Sequence, residues 1–145
     1  MTRQAKTRVL FVCIGNACRS PMAEAIARKE AGDVMEPSSA GLYPLGMIAD
    51  STRVVLEVNE YPMEGLASKG LHEFRPHEVD LVVNMSGLVG PLAEAGYSSV
   101  EHWDVEDPYG ASDATYQRIL EDIQGRVRSL ADRLRQEQPA NDERE

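Results

Sequence analysis

The chain has 145 residues, 42% hydrophobic and 27% charged, which fits one compact domain and excludes a disordered or fibrous chain. Its net charge of -9 excludes a general nucleic-acid or membrane-surface binder, since both need a broad positive face. No apolar run approaches the roughly 20 residues of a membrane helix, and Met1 to Lys6 lacks the apolar core of a secretory signal, so a soluble, cytoplasmic protein is expected. The charge is uneven: residues 1–30 carry six Lys or Arg against two Asp or Glu, a net +4, and residues 31–145 carry -13. An anion site is therefore expected near the N-terminal end.

Residues 1–7 are expected to form a flexible N-terminus, followed by one domain over 8–135. Val9 to Ile14 is an unbroken apolar run of strand length, suited to a strand buried on both faces of a parallel sheet. Gly15 to Arg19 is a short loop, and Ser20-Pro21 reads as the start of a helix through Ala31, with Ser20 as N-cap and Pro21 at the first helical position. Met35 to Ala40 is a strand ended by Gly41, and residues 49–59 form a helix. Val79 to Asn84 is a further buried strand and Ser98 to His102 a short last one. From Asp113, apolar residues Tyr116, Ile119, Leu120, Ile123, Val127, Leu130 and Leu134 recur at three and four, marking an amphipathic helix to about Arg135. Residues 136–145 contain no large apolar residue and read as a solvated, disordered tail. Alternating strands and helices predict right-handed βαβ units in a three-layer α/β sandwich with about four parallel strands. Ligands in such sheets bind at the carboxyl ends of the strands, which is where the loop from Cys13 to Arg19 falls.

That loop has the makings of an anion cradle. A tight turn from strand to helix gathers successive backbone N–H groups, here those of Ile14, Gly15, Asn16, Ala17, Cys18 and Arg19, and the helix adds its positive end. Gly15 and Asn16 tolerate left-handed conformations, and Arg19 can present two donors to an oxyanion. A cysteine opening such a cradle has its thiolate favoured by the same donors, which makes Cys13 a nucleophile. Ser20 can donate to that sulfur, and Asn16 can brace the loop. Cys18 has two readings: a partner for a reversible protective disulfide with Cys13, or a buried, inert thiol.

The string Val12-Cys13-Ile14-Gly15-Asn16-Ala17-Cys18-Arg19-Ser20-Pro21-Met22-Ala23-Glu24 resembles the signature loop of low-molecular-weight protein tyrosine phosphatases, and Asp107-Pro108-Tyr109 resembles that family's acid loop. Ser39-Ala40-Gly41 and Met85 also fit, so the resemblance spans about residues 8–135 and implies a flavodoxin-like, phosphotyrosine phosphatase I-like fold. It implies that Cys13 attacks phosphorus, that Arg19 and the loop amides hold the equatorial oxygens, and that Asp107 is the general acid and then the base. An acid that starts protonated implies activity that falls at alkaline pH. Ser39 would help brace the loop, and Tyr109 and Tyr43 would wall the pocket. The implied substrate is a phosphotyrosine protein or a small aryl phosphate, with no metal and no cofactor.

Two departures from the family pattern stand out. Leu66 occupies the place of a family histidine in Gly65-Leu66-Ala67-Ser68-Lys69, so the bracing of Asn16 and Ser39 is expected to differ. Asn84 to Leu88, Ser68-Lys69 and His102 to Pro108 are similar to arsenate reductases of the same fold. Residues 84–97 hold no cysteine to relay electrons, so a reductase cycle would depend on Cys18 or an external thiol. A non-catalytic oxyanion-binding regulator is a third reading. Trp103 is expected in the core, and His72, His77 and His102 on loops or surface without metal-ligand spacing.

Overall fold

The computed structural model describes residues 5–137. Its centre is β1 (Thr7–Cys13), whose successive side chains alternate between the two faces of the sheet. Val9, Phe11 and Cys13 enter one apolar cluster, and Leu10 and Val12 enter another. Parallel strands β2 (Met35–Gly41) and β3 (Leu81–Asn84) flank β1, and β4 (Val100–His102) pairs with β3, giving the order β2-β1-β3-β4. Four parallel strands with helices on both faces are the expected α/β sandwich. The chain order reverses direction between β2-β1 and β3, which opens a crevice beyond the carboxyl ends of β1 and β3.

Helices α1 (Arg19–Glu30) and α4 (Asp113–Glu137), with α2 (Asp50–Val58) beside α4, bury their apolar sides with Phe11 and Val83 in the larger cluster. Each residue of the periodic stripe from Tyr116 to Leu134 is buried. Trp103 belongs to this core, its ring centroid 6.0 Å from that of Phe11, and its indole N–H donates to Glu101. The other face is thinner, built on Leu10, Val12, Val82 and Leu92. Leu92 comes from α3 (Gly90–Ala95), a helix that the periodicity does not reveal because six residues are too few to show a stripe. His72, His77 and His102 are exposed.

Several boundaries differ from expectation. Helix α1 starts at Arg19 with Cys18 in the cap position and no side-chain cap; Ser20 lies inside the helix, where its hydroxyl serves the cysteine loop instead. Strand β3 begins at Leu81 and β4 at Val100. Of the terminal segments, Thr7 already belongs to β1, and residues 136–137 extend α4; residues 1–4 and 138–145 lie outside the described residues. No helix among the described residues is long and apolar enough to cross a membrane.

Candidate active site

Beyond β1 the chain turns through residues 14–18 into α1, with Asn16 at φ +49, a left-handed conformation that asparagine accepts at low cost. The loop faces its carbonyls outward. Cys13 O accepts the Leu42 N–H, Ile14 O that of Tyr43, and Gly15 O that of Leu45; Ala17 O accepts from the Ala49 N–H and the Thr52 hydroxyl. Among the described residues, no backbone carbonyl accepts from the N–H groups of residues 14–18. Those donors, together with an α1 start that carries no acidic residue and no side-chain cap, are left for an anion. The helix starts ahead of Ser20, whose hydroxyl is engaged by Cys13 Sγ and Asn16 Nδ2 instead of capping α1.

Cys13 is buried, with Sγ 3.0 Å from the Ser20 hydroxyl oxygen. Ser20 accepts a hydrogen bond from Asn16 Nδ2 at 2.7 Å, and its remaining acceptor, the Ala40 carbonyl, is distant at 3.4 Å. Its own hydrogen is therefore best placed for the sulfur. Asn16 Oδ1 accepts the Lys69 N–H at 2.8 Å, and the Lys69 carbonyl accepts the Gly41 N–H at 2.8 Å. Gly41 permits this closure: a Cβ there would sit 2.8 Å from both Asn16 N and Ile14 O. The Ser68 hydroxyl adds a bond to the Gly15 carbonyl at 3.0 Å. Leu66 is buried in the core, so the bracing runs through Ser68 and the Lys69 backbone rather than through a side chain at position 66. Ser39 stands apart from this chain of bonds. Its hydroxyl donates to the buried Glu24 carboxylate at 2.6 Å, which also pairs with Arg28.

Arg19 is fixed from behind. Its Nη1 donates to the Met85 carbonyl at 2.5 Å and the Val105 carbonyl at 3.0 Å, the first just past β3 and the second in the segment after β4. Its Nε is buried without a partner among the described residues, and Nη2 lies 3.6 Å from Asp107 Oδ2. A buried N–H left unpaired is costly unless a ligand takes it. Asp107 is half-exposed and accepts the Tyr109 N–H at 3.1 Å. Pro108 is buried behind it.

A cavity of about 220 Å³ joins these groups. Every residue from 13 to 19 except Asn16 lines it, with Leu45, Asp107 and Tyr109. Tyr109 borders this cavity and Tyr43 does not: Tyr43 is exposed, and the lining residue from its loop is Leu45, which packs so closely on Gly15 that a Cβ at 15 would be 2.9 Å from Leu45 Cγ. Nothing in the sequence singles out Leu45 beyond an apolar residue in a short loop. Cys18 is buried against α4, its Sγ 3.3 Å from the Tyr116 hydroxyl. Burial pushes the Cys18 thiol up, against the opposing hydrogen bonds from Tyr116 and Thr52, and burial together with Cys18 raises the Tyr116 phenol. Both cysteines are free thiols. Among the described residues, no cluster of three or more His, Cys, Asp or Glu is placed to hold a metal ion.

An amide cradle carrying a cysteine at the switch point of a parallel sheet, with an arginine locked beside it, defines the class of cysteine-dependent enzymes that handle tetrahedral oxyanions. The chain belongs to the low molecular weight phosphotyrosine protein phosphatase family, whose model matches residues 8–140. It is 30% identical over 129 residues to arsenate reductase 1 of Bacillus cereus, covering 88% of this chain and 96% of that protein. Among solved structures it is similar to the YwlE arginine phosphatase from Geobacillus stearothermophilus, with TM-score 0.80, 26% identity and coverage of 91% of this chain and 95% of that one. It is also similar to the low molecular weight protein tyrosine phosphatase from T. tengcongensis, with TM-score 0.72, 29% identity and coverage of 88% and 99%. The family is thus one of enzymes whose members bear the names of phosphatases and of arsenate reductases.

Proposed function

We propose that the protein is a phosphomonoester hydrolase of the protein-tyrosine-phosphatase type, acting on phosphotyrosine proteins or small aryl phosphates. The observation that carries this reading is the state of Arg19: one end is tied to two main-chain carbonyls, leaving Nε unpaired and Nη2 directed at Asp107, above a cysteine in a ring of unspent amides. Three equatorial oxygens of a transferring phosphoryl group would use those donors, which strengthen as charge develops. The Cys13 sulfur forms a bond to phosphorus while the phosphorus–oxygen bond to the leaving group breaks, and Asp107 gives that oxygen its proton. The same carboxylate then takes a proton from water, whose oxygen attacks phosphorus. The sulfur–phosphorus bond breaks, releasing inorganic phosphate and returning the thiolate. Tyr109 and Leu45 offer two apolar walls for an aryl group.

Arsenate reduction is the second reading, supported by the name of the Bacillus cereus relative. The chain has two cysteines, and Cys18 is a poor resolving group here, buried on Tyr116 with its thiol pushed up. That cycle would draw on an external thiol. A non-catalytic oxyanion-binding regulator would bind phosphate and release no product. The test is one comparison: turnover of an aryl phosphate in the presence of a chelator, against thiol-dependent reduction of arsenate. Faster phosphate release that is lost in Cys13→Ser supports the proposal; arsenate reduction that outpaces it, or full activity in Cys13→Ser, overturns it.

A further inference from the structure

The catalytic cavity has a neighbour. Ala17, Leu45 and Tyr109, which line that cavity, also line a groove of about 280 Å³ that Met47, Ile48 and Asp50 border as well. The segment carrying Met47 is held to the cradle on both sides: the Leu45 N–H donates to the Gly15 carbonyl and the Ala49 N–H to the Ala17 carbonyl, while the Gly46 N–H donates to the Ser68 hydroxyl, itself bonded to the Gly15 carbonyl. Ile48 is buried, yet Met47 next to it is 70% exposed. A fixed backbone therefore presents Met47, together with the exposed Leu45 and Tyr109, to solvent beside the mouth of the site, and a contiguous apolar patch of that kind marks a binding surface. Asp50 is the first residue of α2, a helix fastened to the cradle by the Thr52 hydroxyl on the Ala17 carbonyl at 2.8 Å. Asp50 is exposed, and no cation among the described residues pairs with its carboxylate.

We infer that this groove is a second substrate subsite, which takes a lysine or arginine flanking the phosphotyrosine, its aliphatic stem on Met47 and Tyr109 and its charged head at Asp50. The inference rests on the phosphatase reading above and narrows its substrate class to phosphotyrosine within a polypeptide. A small aryl phosphate lies between the cradle and the Leu45 and Tyr109 walls and leaves the groove unused, whereas a polypeptide carries its neighbouring residues past those walls. Long cationic side chains suit a groove that is apolar along its length and carries one carboxylate. An extended chain advances about 3.3 Å per residue, so the occupant stands within about two residues of the phosphotyrosine. An acidic residue in a first helical turn is also favoured by the helix dipole; that role would act on every substrate alike.

A set of phosphotyrosine peptides separates the two roles. Each is otherwise uncharged, with a single Lys placed in turn at the two positions before and the two positions after the phosphotyrosine, and an all-Ala peptide and p-nitrophenyl phosphate serve as references. The expected result is a kcat/KM about threefold higher for Lys than for Ala at a position on one side, the size of an exposed ion pair, lost when salt is raised to about 1 M. Asp50→Asn abolishes that preference and leaves p-nitrophenyl phosphate turnover unchanged. Met47→Ala raises the KM of the preferred Lys peptide, again without changing the small ester. The inference is overturned if no position prefers Lys, if the preference survives Asp50→Asn, if either variant slows the small ester as much as the peptide, or if the ester is hydrolysed and the peptides are not. Failure of the unmutated protein to hydrolyse peptide and ester alike is a different result, which removes the phosphatase reading and this inference with it.

Discussion

Asn16 gives the sharpest test of how the cradle is held. It is fully buried, sits at φ +49, donates through Nδ2 to Ser20 and accepts through Oδ1 from the Lys69 N–H. Replacing it by alanine removes two buried hydrogen bonds, each worth about 1 kcal/mol net. It also places a Cβ-bearing residue without asparagine's compensation in the left-handed region, for about 1 kcal/mol more. Asn16→Ala is therefore expected to destabilise the fold by about 3 kcal/mol, and Asn16→Gly, which is at ease with positive φ, by about 2 kcal/mol. With an m-value of about 2 kcal/mol/M, the alanine variant's urea midpoint falls by roughly 1.5 M. Equilibrium urea unfolding of the three proteins reads both numbers, and phosphate affinity is expected to drop in both variants because Ser20 loses its donor. An alanine variant within about 0.5 kcal/mol of the unmutated protein, or a glycine variant less stable than it, would refute the bracing described here.

Three further outcomes follow from named contacts. Glu30 holds its carboxyl below the usual range because of its hydrogen bond with Arg128, aided by Tyr61. A depressed folded value means that the pair stabilises above the unfolded value of about 4.3 and is lost as pH falls through the folded one, so Glu30→Gln should flatten the acid side of a melting-temperature profile. Leu45→Ala, which strips the apolar wall opposite Tyr109, should raise the KM for aryl phosphates several-fold and leave inhibition by inorganic phosphate unchanged; equal effects on both would contradict its place as an aryl wall. Gly41→Ala, whose Cβ would meet backbone atoms of Asn16 and Ile14 at 2.8 Å, should cost about 1–3 kcal/mol or more and weaken phosphate binding, both measurable by the same unfolding and inhibition assays.

The parts of the fold visible in the sequence are those with strong local signals. The apolar run of β1 and the stripe along α4 are patterns within a single element, and the cradle is a run of consecutive residues whose chemistry does not depend on distant partners. What escapes is carried by long sequence separations. The Met85 and Val105 carbonyls that lock Arg19 are main-chain atoms 66 and 86 residues away, and any residue type supplies a carbonyl. The Lys69 N–H that braces Asn16 is equally anonymous, 53 residues on. Ser20 misleads for a physical reason: Ser-Pro is a good helix start, but the Ser20 hydroxyl is taken by the Cys13 sulfur and the Asn16 amide, partners that form only when the loop folds back on the helix. Tyr43 misleads because two neighbouring apolar residues compete for one wall, and only the packing of Leu45 on Gly15 decides between them.

The most direct test of the account is to look for the covalent intermediate. Asp107→Asn, which cannot serve as the base for the second step, is mixed with an aryl phosphate, quenched in acid and digested for mass spectrometry. The expected result is one phosphoryl group on the peptide containing Cys13, carried by its sulfur and absent from Cys13→Ala. Steady release of phosphate from the unmutated protein with no adduct in the trapped variant, or an adduct on Cys18 instead, would contradict the assignment of Cys13 as the attacking group.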